Sequence, residues 1–213
     1  MNPLFPQIEK PARLEVTNLT MARGGRTLFQ DISAQVKSRD VLWVQGDNGI
    51  GKTTLLEALA GLSHPDDGDV SWFEEGQLSL ASSVTAYQPY KGYEKASLTT
   101  KEDLSFWAKI YNTSELAVAS LDYVGLDAHN DVPSHKLSAG QRRRLALAKL
   151  IISQKPIWLM DEPSAAMDSD GITLIDSVIR QHVERGGSAI IASHDNAHKL
   201  VVKTRKLTLR SQL

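Results

Sequence analysis

Residues 41–61 read VLWVQGDNGIGKTTLLEALAG, and this stretch decides the fold. Val41 to Val44 are an unbroken apolar run of strand length, the pattern of a parallel strand buried on both faces. Gly46-Asp47-Asn48-Gly49-Ile50-Gly51-Lys52-Thr53 follows and fits G-x-x-x-x-G-K-T. Thr54 continues into a segment with Leu55, Leu56 and Leu59 on one helical face, stopped by Gly61 and Pro65. Strand, glycine loop and helix in that order make a phosphate-binding loop. Glycines let successive backbone N–H groups turn inward, and the helix N-terminus adds partial positive charge. Lys52 would reach the β and γ phosphates of ATP, and the Thr53 hydroxyl is placed to ligate Mg²⁺.

Outward from this loop, PIWLM (156–160) and SAIIAS (188–193) are further continuous apolar runs, hence further buried parallel strands. Residues 172–184 turn Leu174, Ile175, Val178, Ile179 and Val183 to one side before Gly186. Near the start, RLEVTNL (13–19) and ISAQVK (32–37) alternate apolar and polar residues and predict antiparallel strands at the domain edge. The middle of the chain has helical rhythm. TKEDLSFWAKIY opens with Thr100 to Asp103, and Ser114 is the expected cap of ELAVASLDYV, which Gly125 ends. The expected fold is α/β: a P-loop NTPase core with a mostly parallel sheet, an N-terminal antiparallel β subdomain and an inserted α-helical subdomain. One domain is expected over residues 1–213, with 13–88 and 146–213 as the core and 89–145 as the insert.

Composition narrows the partners. Twenty-four Lys and Arg stand against twenty-five Asp and Glu, a formal charge of −1, so no global field points to nucleic acid or an anionic membrane. The basic residues Arg142, Arg143 and Arg144, and those from Lys199 to Arg210, read as solvated faces. With no cysteine there is no thiolate metal site and no disulfide framework. The start, MNPLFPQIEKPARLEV, lacks the pattern of a signal peptide. The apolar runs fall far short of the roughly 20 residues needed to span a bilayer, so no direct lipid insertion is expected and any membrane link comes through a partner.

Two further motifs carry chemistry. PIWLMDEP ends a buried strand in Asp161-Glu162: Asp161 can hold Mg²⁺ through its shell, and Glu162 can polarise an attacking water. In LSAGQRRRLALAKL, Ser138 is a good N-cap and Gln141 completes a capping box. A capped helix needs nothing more. Yet Ala139-Gly140 would also let another molecule approach the N–H groups of the first turn.

The order phosphate loop, Gln88, LSAGQ, LMDEP, Asp168, SHD resembles the nucleotide-binding subunit of ATP-binding cassette (ABC) transporters over nearly the whole chain. The RGGRTLF, YQPYKG, LSAGQRRRLALAKL and SHDNAH segments look most like the ATP-binding subunit of the cytochrome c maturation, or heme exporter, complex. The resemblance implies a RecA-like core and a homodimer that closes on ATP. Gly46 to Thr54 would hold the triphosphate in one subunit, and Ser138, Ala139, Gly140, Gln141 and Asp168 would reach the neighbour's ATP in trans. It implies Glu162 as catalytic base, His194 as the switch histidine, and Gln88 as sensor of the γ-phosphate or metal. Mg²⁺ would be held by Thr53, Gln88 and Asp161. Arg23 stands where many such domains stack a tyrosine on adenine, and a guanidinium plane can also stack on a base. Ala139 replaces the commoner glycine of the signature, and Met167 a leucine.

The same resemblance implies a peripheral place on the cytoplasmic face of the inner membrane, beside a separate integral membrane permease. The permease would dock near Gln88 to Leu98. Tyr87, Pro89, Tyr90 and Tyr93 either line that dock or pack the insert. The implied work is heme export or release of heme from its chaperone. The histidines at 64, 129, 135, 182, 194 and 198 show no axial-ligand arrangement, so no direct heme site is expected. The motifs would also suit another ABC exporter or a soluble cassette ATPase of the iron–sulfur assembly type. A subunit that binds ATP without turnover is the third reading, and intact Glu162 and His194 argue against it.

Overall fold

The computed structural model describes residues 2–90, 98–194 and 204–210. β1 (Ala12–Arg23) and β2 (Arg26–Val36) form an antiparallel hairpin. Its turn residues Gly24 and Gly25 have φ of 59° and 77°, the left-handed pair that lets a two-residue turn follow the strand twist. β1 turns Leu14, Val16, Leu19 and Met21 into the core. The alternation slips once, at exposed Thr17-Asn18, where Asn18 takes φ 49° and the register shifts so that Leu19 regains the buried face.

β3 (Val41–Gln45) enters the glycine loop, which opens into α1 (Lys52–Leu59). The chain then returns to the first sheet as β4 (Asp67–Glu74) and β5 (Gln77–Ser79), giving the order β2-β1-β4-β5. α2 (Ala81–Val84) and β6 (Thr85–Gln88) follow, and then the helices α3 (Thr100–Tyr111), α4 (Ala117–Tyr123) and α5 (Ala139–Ser153). β7 (Ile157–Asp161), α6 (Ser169–Glu184), β8 (Ser188–Ala192) and β9 (Thr204–Thr208) complete a parallel sheet of order β6-β7-β8-β3-β9.

The continuous apolar runs have a direct cause: each face of the parallel sheet is buried in a different core. In β7, Trp158 and Met160 join the core formed with α5 and α6, while Ile157 and Leu159 join the one shared with α1 and the antiparallel sheet. β8 divides the same way, Ala189 and Ile191 against Ile190 and Ala192. α3 is held to α5 by a half-buried ion pair, with Asp103 fully buried and the partly exposed Lys149 placing Nζ 2.9 Å from its Oδ2.

Two sequence expectations are corrected. Ser114 does not cap a helix: Ser114–Leu116 tighten into a 3₁₀ turn, and α4 starts at Ala117 without a side-chain cap bond. The preceding Thr113 hydroxyl donates to the Ile152 carbonyl at 2.8 Å, and this tie, with Leu116 and Ala117 turned into the core, sets the entry. Nor are Arg142, Arg143 and Arg144 a solvated face. They donate to the carbonyls of Leu137, Pro89 and Val124 respectively, and Arg143 is buried.

His182 is a core residue. Its ring lies on Trp158 with centroids 3.7 Å apart and planes 4° from parallel, and a Cβ at Gly187 would overlap it. Burial pushes its imidazole from the ordinary 6.5 down to about 3, against the opposing pull of backbone contacts at Ser188 and Pro156. The native state therefore stays neutral while the unfolded chain takes up a proton. Stability is full above pH 6.5 and is lost as pH falls towards 3, by about 1.4 kcal/mol per unit once the unfolded histidine is charged. Between pH 7 and 5 this group is expected to remove about 2 kcal/mol, read as a shift in urea midpoint that His182→Gln abolishes. A wild-type-to-variant difference that does not change with pH counts against it.

Candidate functional site

Gln88, Asp161 and the loop after β3 lie at the carboxyl ends of strands of the one parallel sheet, and Asp161 is in register with Ala192 of β8, which separates β7 from β3. That edge is where ligand crevices of open parallel sheets form. The loop is tightly wound. A Cβ at Gly46 (φ 153°) would press on Ile50 Cγ2 and the Leu209 carbonyl at 3.0 Å, and one at Gly51 (φ 109°) would meet Leu28 and Phe29 at 3.1 Å. Ile50 is itself buried in the core and anchors the loop from below.

Lys52 is buried, and its Nζ donates to the Gly46 carbonyl at 2.7 Å and that of Asp47 at 3.3 Å. The same atom is 4.0 Å from Glu162 Oε1. Thr53 Oγ1 donates to Asp161 Oδ2 at 2.7 Å. Burial pushes the Asp161 carboxyl above its usual range, with Glu162 adding to the rise; the Thr53 hydrogen bond, Arg143 and the Tyr90 backbone oppose it. Glu162 holds the left-handed φ of 47°, its N–H donates to the Ala192 carbonyl at 2.8 Å, and its Oε2 lies 2.9 Å from His194 Nδ1. A non-glycine residue in that region stores strain that the surrounding structure must hold.

These groups share one cavity of about 470 Å³. Arg23, Asn48, Gly49, Gly51, Lys52, Thr53, Thr54, Asp161, Glu162 and His194 line it, as do Leu28, which sequence reasoning did not select, and Tyr90, which it gave to the dock or the insert. Arg23 projects from the end of β1, with its guanidinium 3.4 Å from Glu57. Gln88 lines a larger neighbouring groove of about 1070 Å³. It is only 2% exposed, and neither its Oε1 nor its Nε2 has a partner. A buried amide left unpaired is costly, so Gln88 calls for a polar partner, water or ligand, that the described residues do not supply. Thr53, Asp161 and Gln88 together offer hydroxyl, carboxylate and amide oxygens, hard donors that fit Mg²⁺; no cluster of three His, Cys, Asp or Glu able to hold a metal occurs among the described residues.

Ser138, Ala139, Gly140, Gln141 and Asp168 do not line the phosphate-loop cavity. Ser138 is the exposed N-cap of α5: its Oγ accepts from Gln141 N–H at 3.2 Å and its own N–H donates to Gln141 Oε1 at 2.8 Å. Gly140 passes beneath Ala166, whose carbonyl would be 3.2 Å from an added Cβ. Asp168 caps α6 through the Gly171 N–H at 2.8 Å, with Arg144 3.9 Å away. Tyr93, Asp195 and His198 lie outside the described residues.

Residues 29–165 match the family model described as ABC transporter. The chain belongs to the ABC transporter family. It is similar to the cytochrome c biogenesis ATP-binding export protein CcmA of Cereibacter sphaeroides, 40% identical over 181 residues, 85% of this chain and 82% of that one. The protein of the same name from Vibrio vulnificus is 37% identical over 204 residues, 92% of this chain and 98% of its own length. The fold is shared with a solved ATP-binding subunit of an ABC transporter, at TM-score 0.75 and 21% identity, covering 85% of this chain and 79% of that one. As an ATP-binding subunit of this family the protein binds nucleotide and couples ATP hydrolysis to transport. No helix among the described residues is long and apolar enough to cross a membrane.

Proposed function

We propose that this chain is the ATP-hydrolysing subunit of a cytochrome c biogenesis complex, working as a homodimer that energises a separate membrane permease. The observation that carries the reading is identity of 37% along 98% of the Vibrio vulnificus relative, with Lys52, Thr53, Gln88, Ser138, Asp161, Glu162 and His194 all present in this chain. In this reading the triphosphate lies along the loop. Lys52 turns its ammonium from the two loop carbonyls to the β and γ phosphates, and Arg23 stacks on the base. Glu162 orients the attacking water and accepts its proton, while His194 steadies that carboxylate and meets the γ-phosphate. Thr53, Asp161 and Gln88 would hold Mg²⁺, which supplies neutralisation of phosphate charge when bound. Ser138 to Gln141 and Asp168 close on the nucleotide of the neighbouring subunit.

Residues 89–145 form, in this reading, the helical subdomain that meets the permease at the larger groove. Tyr87, Pro89 and Tyr90 line that groove; among the described residues its lysine and arginine side chains are Arg142, Arg143 and Lys149, and none of the described lining residues is acidic. Leu62 and Ile110, 68% and 52% exposed, add apolar surface that a partner would cover. The subunit would sit peripherally on the cytoplasmic face of the inner membrane. A tagged chain purified from detergent-treated membranes should bring down integral membrane subunits, and cells carrying Glu162→Gln should lose heme-stained c-type cytochromes. Recovery from cytosol alone, with cytochromes unaffected, would overturn the reading. Lys52→Ala is expected to weaken ATP binding by about 10- to 100-fold in equilibrium titration, the worth of a charge-assisted phosphate contact.

A further inference from the structure

We infer that His129 is a positioning residue for the Ser138 helix start, acting through Gln141 as a hydrogen-bond acceptor. The inference rests on the reading that Ser138 grips the neighbour's nucleotide. Its basis is the order of donors and acceptors in a three-residue chain. The Ser138 N–H is a backbone donor and has no choice of role. It donates to Gln141 Oε1 at 2.8 Å, so the oxygen end of that amide faces Ser138 and the NH₂ end faces away. The NH₂ nitrogen lies 2.7 Å from His129 Nε2. Two donors cannot meet there, so Nε2 carries the lone pair and the ring proton sits on Nδ1, a buried atom without a partner.

The consequence is directional. His129 closes the 3₁₀ turn Asp127–His129, upstream of the signature helix, and is half-buried. With the imidazole as acceptor, the Gln141 amide has one orientation, and that orientation completes the capping box in which Ser138 Oγ accepts from the Gln141 N–H. A side chain at 129 that offers only a donor, or nothing, leaves the amide free to turn. Turning it sets NH₂ against the Ser138 N–H and opens the cap. The box alone explains Gln141 as a helix signal, whereas its fixed orientation depends on a residue outside α5.

The test uses the full-length chain and three readouts. His129→Leu removes the acceptor and should lower kcat and ATP-driven dimerisation about five- to tenfold, the scale of one hydrogen bond, with ATP binding to the single subunit unchanged. His129→Gln restores an acceptor carbonyl and should recover most of the loss. Long-range ¹⁵N–¹H correlation should show the Nδ1–H tautomer for the wild-type ring. The opposite tautomer, a wild-type His129→Leu, or equal losses in the Leu and Gln variants would each overturn the proposal. Separation from the underlying reading is direct. If Ser138→Arg hydrolyses ATP normally, the trans grip itself fails; if it is inactive while His129→Leu is normal, only the role of His129 fails.

Discussion

Glu162→Gln is expected to reduce ATP turnover by about 10²-fold or more and to trap a nucleotide-bound dimer. The substitution keeps the shape of the side chain and removes the carboxylate that would take the proton of the attacking water. The groups proposed to hold the triphosphate are elsewhere: Lys52 is held by the Gly46 and Asp47 carbonyls, and Thr53 is joined to Asp161. The unusual backbone at Glu162 also survives, because its N–H bond to Ala192 involves no side-chain atom. Binding should therefore be retained while the step that reopens the dimer is lost. Gel filtration with ATP reads the dimer, and phosphate release reads turnover. A variant that hydrolyses at the wild-type rate, or that stays monomeric with ATP, counts against Glu162 as the base.

The site divides sharply into what local sequence carries and what it does not. Gly46 to Thr53 are legible because one contiguous stretch supplies strand end, turn and helix start, and the Gly-Lys-Thr that closes the turn narrows that order to a triphosphate loop. β7 and β8 are legible for another reason: burial on both faces leaves no polar position to confuse with a loop. The arginine run shows the opposite case. Its acceptors, Pro89, Val124 and Leu137, are far apart along the chain or outside the helix, so nothing local distinguishes a carbonyl clamp from a wet surface. His182 is similar, since a helical histidine shows no sign of the Trp158 ring it will lie on. Tyr90 enters the phosphate-loop cavity only because β6 ends beside β7, a pairing between distant segments. The β4–β5 hairpin has a local signal, the Glu75-Gly76 pair, whose left-handed φ of 51° and 83° closes the turn.

Ser138→Arg carries the second large effect: hydrolysis should be abolished while a single subunit still binds ATP. The reason is placement. Ser138 is exposed at the start of α5 and does not line the cavity that holds Lys52 and Glu162, so a bulky cation there leaves the subunit's own phosphate loop untouched. Losing the N-cap costs helix stability of about 1 kcal/mol, which alone could lower activity. Ser138→Asp separates the two effects. Aspartate caps as well as serine, yet its charge opposes a phosphate, so it too should prevent ATP-driven dimerisation with the fold intact. Mixing gives the decisive measurement. Ser138→Arg subunits are inactive alone, as are Lys52→Ala subunits at ATP well below their weakened Kd, but a mixed dimer joins the intact loop of the first to the intact helix start of the second. With random pairing and independent sites, activity should return to about a quarter of wild type. No recovery on mixing, together with no ATP-dependent pairing of the two variants, would mean that each chain completes its own site, and the homodimer mechanism would fall with it.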